Sequence, residues 1–161
     1  MAGCSCVKNL EIKVLYHNEK LTRIQDISIG DWTDLRCAEE IELKAGEFRF
    51  IDLGISVEVP EGYEMHIAPR SSTFNNFGIL QVNSVGVLDE SYSGDTDIVK
   101  MPALAMRDTK IGFDDRICQC RLVPKQPNLT WVTVKTLDND ARGGLGSTGT
   151  NEFTGKAKVI E

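Results

Sequence analysis

Several short clusters in this chain carry side chains of the right type and spacing to do chemistry. In NSVGVLDESYSGD (residues 83–95), Asp89 follows an apolar run and Tyr92 stands three residues further on. A carboxylate just past a strand end can act as a general base if it reaches a water. A tyrosine ring one turn later can lie flat against a sugar, and an open hairpin beginning at Asn83 exposes backbone groups that can read the edge of a planar base. In APRSSTFNNFG (68–78), Arg70 offers a planar fork of donors suited to phosphate oxygens, and Ser71 and Ser72 add hydroxyls. Asp34 in GDWTDLRCAEE could orient the water shell of a magnesium ion, which usually keeps several waters. Gln119 in DDRICQCRL could bond a phosphate or support the site. The stretch ARGGLGSTGTNEF (141–153) combines glycines with Ser147 and Thr148. Its successive N–H groups could nest an anion. Each cluster also has a plainer use, because Asp, Ser and Gly are ordinary turn residues, serine is a common helix cap and glycine-serine tails are flexible.

Composition narrows the classes. The chain has 161 residues, a length for one domain, with 41% hydrophobic and 26% charged residues and a net charge of −6. That balance argues against stable nucleic-acid binding, which needs a basic stripe, and leaves room for a small anionic ligand. No apolar run is long enough for a membrane helix, so no membrane partner is expected. The first residues lack the apolar core of a signal peptide, which predicts a cytoplasmic protein. Five cysteines without an export signal predict free thiols. The Cys-x-Cys spacing does not suit zinc.

The elements that must position these groups read as short strands. NLEIKVLYH, FRFIDLGISVEV, YEMHIAP, GILQVNS, VGVLD, TDIVKMPALAM, DRICQCRLVP and LTWVTVKTL are apolar runs separated by Gly, Pro, Asn and Asp. GILQVNS and VGVLD flank an expected hairpin. SSTFNNFG is the one helical candidate. Closely spaced strands with turn residues between them predict an all-β sandwich or barrel. The expected division is a β-rich domain over 1–138 and a flexible glycine-rich C-terminal arm over 139–161.

Taken in order, TDLRCA, PRSS, NSVGVLDESYSGD, DDRICQ and GGLGSTG resemble the five motifs of the trimeric dUTPase family, over about residues 30 to 150. The resemblance implies a jelly-roll-like β-barrel subunit in a homotrimer. Its three active sites lie between subunits, and a C-terminal arm closes over the nucleotide. It implies hydrolysis of dUTP to dUMP and pyrophosphate with Mg²⁺. By position, Asp89 matches the water-activating carboxylate and Tyr92 the ring packed on deoxyribose. Asn83 and Gly86 match the uracil-reading hairpin. Arg70, Ser71, Ser72 and Gln119 match the phosphate side, and Asp34 the carboxylate that holds magnesium through water. Gly144, Leu145, Gly146, Ser147 and Thr148 match the arm.

This chain departs from the family pattern at three places. Leu145 replaces the aromatic that stacks on uracil, Arg142 stands two residues from the usual arginine, and Asp114 replaces a glycine in the fourth motif. Two other readings remain at this stage. One is a regulatory, nucleotide-sensing relative that acts through a protein partner. The other is a dCTP deaminase, disfavoured because the strand after the third motif (Thr96–Met106) lacks the glutamate that chemistry needs.

Overall fold

The structure, a computed structural model, describes residues 10–25, 27, 30–141 and 143–144. Eleven strands and one short helix lie in the first of two compact units, which runs to Gln126. In chain order they are β1 (Lys13–Tyr16), β2 (Thr33–Arg36), β3 (Ile41–Leu43), β4 (Phe48–Asp52), β5 (Ile55–Glu58), β6 (Tyr63–Pro69), α1 (Thr73–Phe77), β7 (Ile79–Gln81), β8 (Gly86–Leu88), β9 (Lys100–Ala105), β10 (Thr109–Ile111) and β11 (Arg116–Pro124). The fold is all-β, as the turn spacing predicts. All pairings are antiparallel, in sheets β1-β5, β10-β3, β2-β11-β6-β8 and β4-β9-β7.

Alternation decides which side chains form the core. Met65 and Ile67 of β6, Met101, Ala103 and Ala105 of β9, and Ile117, Cys118 and Cys120 of β11 are buried, and all of these sheets feed one cluster. Cys37 joins them, and none of these three thiols is in a disulfide. Burial pushes Cys37 up to about 11 and Cys120 up to about 12, and raises Cys118 as well, so all three stay protonated. FRFIDLGISVEV breaks into β4 and β5 at Gly54, whose φ is +65°. A methyl there would lie 2.6 Å from the Ala38 Cβ, too close for any other residue without a shift.

Two expectations need correction. GILQVNS and VGVLD do not pair as a hairpin. β7 bonds to β9 and β8 bonds to β6, so the chain switches sheets between Gln81 and Gly86. The strand expected over LTWVTVKTL does not form among the described residues of the second unit, Pro127 onward. Trp131 there is 88% exposed, and Val132, Val134 and Leu137 are exposed too. A strand exists only through hydrogen bonds to a neighbour, so β propensity alone cannot make one. Three short strands, β2, β3 and β10, fall outside the runs singled out in the sequence. Among the described residues, no helix is long and apolar enough to cross a membrane.

Candidate active site

The sheet β2-β11-β6-β8 gathers the predicted residues, but at two separate places. The first is the end of β6 where Arg70 leaves the sheet. β11 lies between β2 and β6, with Gln119 opposite Asp34 on one side and Ala68 on the other. The Arg70 Nε donates to Asp34 Oδ1 at 2.6 Å, and the Arg116 guanidinium donates to Asp34 Oδ2 at 2.9 Å. Gln119 donates its amide to the Pro69 carbonyl at 3.2 Å, so it fixes the backbone just before Arg70. Arg116 escaped the sequence reading. Its signal is the same alternation that sets Cys118 and Cys120 on the core face, but a bulge between Arg116 and Cys118 hides it.

The turn after β6 is organised by Thr73 rather than by the serines. Thr73 is buried, accepts a hydrogen bond from the Arg70 N–H at 2.9 Å and donates to the Ile117 carbonyl at 2.8 Å. Ser72 occupies the N-cap position of α1, but its hydroxyl makes no capping bond. Ser71 is exposed. With only five residues, α1 adds little dipole of its own, and the side-chain donors at this place are the arginines and the serine hydroxyls.

Asp114 has a different task from the glycine it replaces. It sits at φ +69°, a region uncommon for side chains other than Gly, Asn and Asp. Its carboxylate accepts hydrogen bonds from the Thr22 N–H (2.9 Å) and hydroxyl (2.6 Å) and pairs with Arg36 at 3.2 Å. Burial acts to raise its carboxyl, but the Thr22 bonds and the Arg36 charge outweigh that, and it stays below the usual aspartate value. Asp114 thereby ties the segment after β1 to the loop that leads into β11. A cavity of about 240 Å³ opens beside this ion-pair cluster, lined in part by Thr33, Asp34, Arg36 and Arg116. That is below the ~300–1,000 Å³ common for small-molecule sites.

The second place is the other end of the same ladder. β8 runs antiparallel to β6, with Gly86 opposite Ile67 and Leu88 opposite Met65. Asp89 therefore emerges beside the start of β6, about 20 Å from Arg70 at roughly 3.3 Å per residue. Asp89 is exposed. Its Oδ1 accepts from the Ser91 N–H at 2.8 Å and the Ser91 hydroxyl at 2.5 Å. These Ser91 bonds hold its carboxyl below the usual aspartate value, so it is ionised at neutral pH. Tyr92 donates its hydroxyl to the Ile98 carbonyl at 3.0 Å, which anchors the ring while leaving it 37% exposed. Glu90 pairs with Lys125 beside them. The Asn83 turn lies between the two places, and a methyl on Gly86 would meet Ile67 at 3.4 Å and the Asn83 amide at 3.6 Å.

One chain thus brings Asp34, Arg70, Arg116 and Gln119 together and keeps Asp89 and Tyr92 apart from them. Gly144 is exposed in the second unit. Arg142, Leu145, Gly146, Ser147 and Thr148 lie outside the described residues.

Among the described residues no three His, Cys, Asp or Glu side chains form a direct metal cage. The donor set still fits a magnesium ion held through water. Each Asp34 oxygen takes one guanidinium N–H, and a carboxylate oxygen has a second lone pair free for a water.

A sequence model of the dUTPase family matches residues 33–150. The SPbeta prophage-derived deoxyuridine 5'-triphosphate nucleotidohydrolase of Bacillus subtilis is 52% identical over 141 residues, spanning 88% of this chain and 99% of that protein. The deoxyuridine 5'-triphosphate nucleotidohydrolase of Finegoldia magna is 39% identical over 122 residues, 72% of this chain and 82% of the relative. Among solved structures, the dUTPase of Streptococcus mutans superposes with a TM-score of 0.65 at 21% identity, over 74% of this chain and 98% of that one. A mutant dUTPase of Staphylococcus bacteriophage 80alpha with dUpNHpp gives 0.67 at 16%, over 81% and 100%. At those identities the superpositions speak for the jelly-roll-like fold. With the family match across most of its length and a relative more than half identical, this chain belongs to the dUTPase family.

Proposed function

We propose that the protein hydrolyses dUTP to dUMP and pyrophosphate at sites shared between the copies of a homotrimer. The observation that carries the reading is the separation along β6. Phosphate-binding groups stand at one end and the candidate base at the other, in a family whose members are named for this reaction. Neither place encloses a nucleotide, but each supplies what the other lacks.

A face ready for a second copy supports the assembly. Cross-strand partners share a sheet face, and on β4-β9-β7 the outward set is Phe48 and Phe50, Pro102 and Leu104, and Leu80. Phe48 is 48% and Phe50 59% exposed, and their rings pack edge to face at 5.0 Å. The opposite face, with Ile51, Met101 and Ile79, is core. A sheet apolar on both faces fits burial on both.

In the mechanism, Asn83 and the backbone at Gly86 take the base, and Tyr92 packs on the sugar. Arg70, Arg116, Ser71 and Ser72 take the phosphates, with Gln119 bracing the Pro69–Arg70 backbone. Asp89 accepts a proton from a water as its oxygen bonds to the α-phosphorus. The bond from that phosphorus to the bridging oxygen breaks, and pyrophosphate leaves. Asp34 orients Arg70 and Arg116 and would hold a magnesium ion through water. The ion supplies charge neutralisation along the triphosphate when bound. The arm over 139–161, with Arg142, Gly144, Leu145, Gly146, Ser147 and Thr148, closes over the phosphates and excludes water.

The test is complementation between copies. Asp89→Asn and Arg70→Ala proteins should each release little pyrophosphate from dUTP. Mixed after denaturation and refolding at equal amounts, they should regain activity, because about a quarter of two-copy sites then draw an intact residue from each chain. No recovery, alongside an active wild-type control, would mean that each site is built within one chain.

A regulatory reading stands beside this one on a single observation. The bacteriophage 80alpha dUTPase is among phage dUTPases described as controlling transfer of virulence genes by a proto-oncogenic G protein-like mechanism, and the 52%-identical relative is prophage-derived. Nucleotide binding without pyrophosphate release would favour it.

A further inference from the structure

Among the described residues, only one buried side-chain polar atom has no hydrogen-bond partner, the Oε1 of Gln81. Gln81 ends β7 and is 92% buried by its 8% exposure. Its Nε2 donates to the Ile67 carbonyl of β6 at 2.9 Å and, more weakly, to the Ser84 carbonyl at 3.4 Å. The orientation of the amide follows from these neighbours. Both are acceptors, so the NH₂ must face them, and a flipped amide would set oxygen against two carbonyl oxygens.

The position matters more than the bonds taken singly. Here the chain leaves the β7–β9 ladder and enters the β6–β8 ladder. The crossing residues, Val82 to Val85, carry Asn83 and are exposed. Ser84 sits at φ +59°, a conformation that costs a non-glycine residue energy unless its surroundings impose it. Within the turn the backbone bonds are Ser84 N–H to the Gln81 carbonyl at 3.4 Å and Val85 N–H to the Asn83 carbonyl at 2.6 Å. The Gln81 side chain adds the links from this turn to the neighbouring sheet. Ile67, whose carbonyl it holds, is the register partner of Gly86, so one carboxamide fixes both ends of the turn.

We infer that Gln81 is a positioning residue for base recognition, which locks the Asn83–Gly86 turn against β6 in the geometry that reads the nucleobase. This rests on the reading above that the turn meets the base. The unpartnered oxygen points the same way. An apolar side chain of the same length would fill the space without burying an unmet acceptor, which is costly. What glutamine alone supplies is the pair of donors aimed at the turn and at β6. Gln81 therefore trades fold stability for a fixed turn, and the two effects can be measured apart.

The experiment uses the full chain with Gln81→Met. Amide hydrogen exchange should quicken in the peptide covering residues 82–86 and stay unchanged in the core strands. The midpoint of thermal unfolding should hold or rise. The Kd for dUMP and the KM for dUTP should both rise by about five- to tenfold, the factor that one hydrogen bond of ordinary strength represents, with kcat within about twofold. Unchanged exchange at 82–86 with unchanged dUMP affinity would overturn the inference. So would a fall in the unfolding midpoint with faster exchange throughout, which marks a core residue and nothing more. Should Gln81→Met fail to fold, Gln81→Leu removes both donors without adding a buried carboxyl group, and the same outcomes decide. If the turn loosens but the wild-type protein binds no dUMP, the lock stands as described and the base-reading function of the turn is what fails.

Discussion

The two ends of β6 solve opposite problems. At the Arg70 end, two arginines share one aspartate, a glutamine braces the backbone, and a buried threonine closes the turn. At the Asp89 end, the carboxylate is held only by its neighbour Ser91 and stands in solvent. Groups that bind a fixed charge gain from being preorganised, because no reorganisation is then needed during reaction. A base must gain and lose a proton, and a carboxylate as open as Asp89 is a weak one until a bound ligand dries its surroundings and raises its proton affinity. The difference teaches that the contacts of the first end form within a single chain, while the proposed role of the second calls for a ligand to cover it.

The sharpest way to break this contrast is at Asp89. Asp89→Asn keeps the shape and removes the proton acceptor, and kcat for dUTP should fall by about 10²–10⁴-fold with dUMP affinity nearly unchanged. Steady-state pyrophosphate release beside dUMP titration measures both, and a loss confined to KM would shift Asp89 from base to binding group.

A smaller effect is expected at the preorganised end. Arg116→Ala leaves Asp34 and Arg70 paired but removes one of the charges proposed to bind phosphate. kcat/KM for dUTP should drop by about tenfold, as for loss of one charged hydrogen bond, while dUMP binding changes less. Equal losses for both ligands would place Arg116 away from the outer phosphates.

The smallest effect is a shift along the pH axis. In the proposed reaction Asp89 works ionised, and the Ser91 bonds hold its carboxyl below the usual aspartate value. As pH falls, kcat/KM should therefore hold until below that value and then decline as Asp89 protonates. Ser91→Ala removes the hydroxyl donor and raises the carboxyl, so the acid limb should move to higher pH with the plateau little changed. A limb that stays in place would mean that another group sets it.

How much of this was legible in the sequence varied with the kind of interaction involved. YEMHIAP marks β6 residue for residue, because alternation and a Pro-Glu-Gly turn are local signals. The roles of GILQVNS and VGVLD were not, since which strand pairs with which is decided across the fold and the two runs join different sheets. LTWVTVKTL has the composition of a strand and no ladder to join among the described residues. At the site, Asp34, Arg70, Asp89 and Gln119 were visible as residue types in motif order. Arg116 and Gln81 were not, because a bulge re-aims the first and an exposed strand glutamine is indistinguishable from a buried one until its neighbours are known. Asp114 read as a departure from a glycine, and only its bonds to Thr22 and Arg36 give it a task.

The buried thiols offer a clock. Cys37, Cys118 and Cys120 sit in the core with their ionisation suppressed, and a thiol reagent attacks the thiolate. With Cys4 and Cys6 changed to serine, the native protein should remain unlabelled for as long as the strands around β11 stay closed. Each modification event then records one opening of the core. Because β11 lies between β2 and β6, the labelling rate at Cys118 or Cys120 times the release of the strand that carries Arg116 and Gln119.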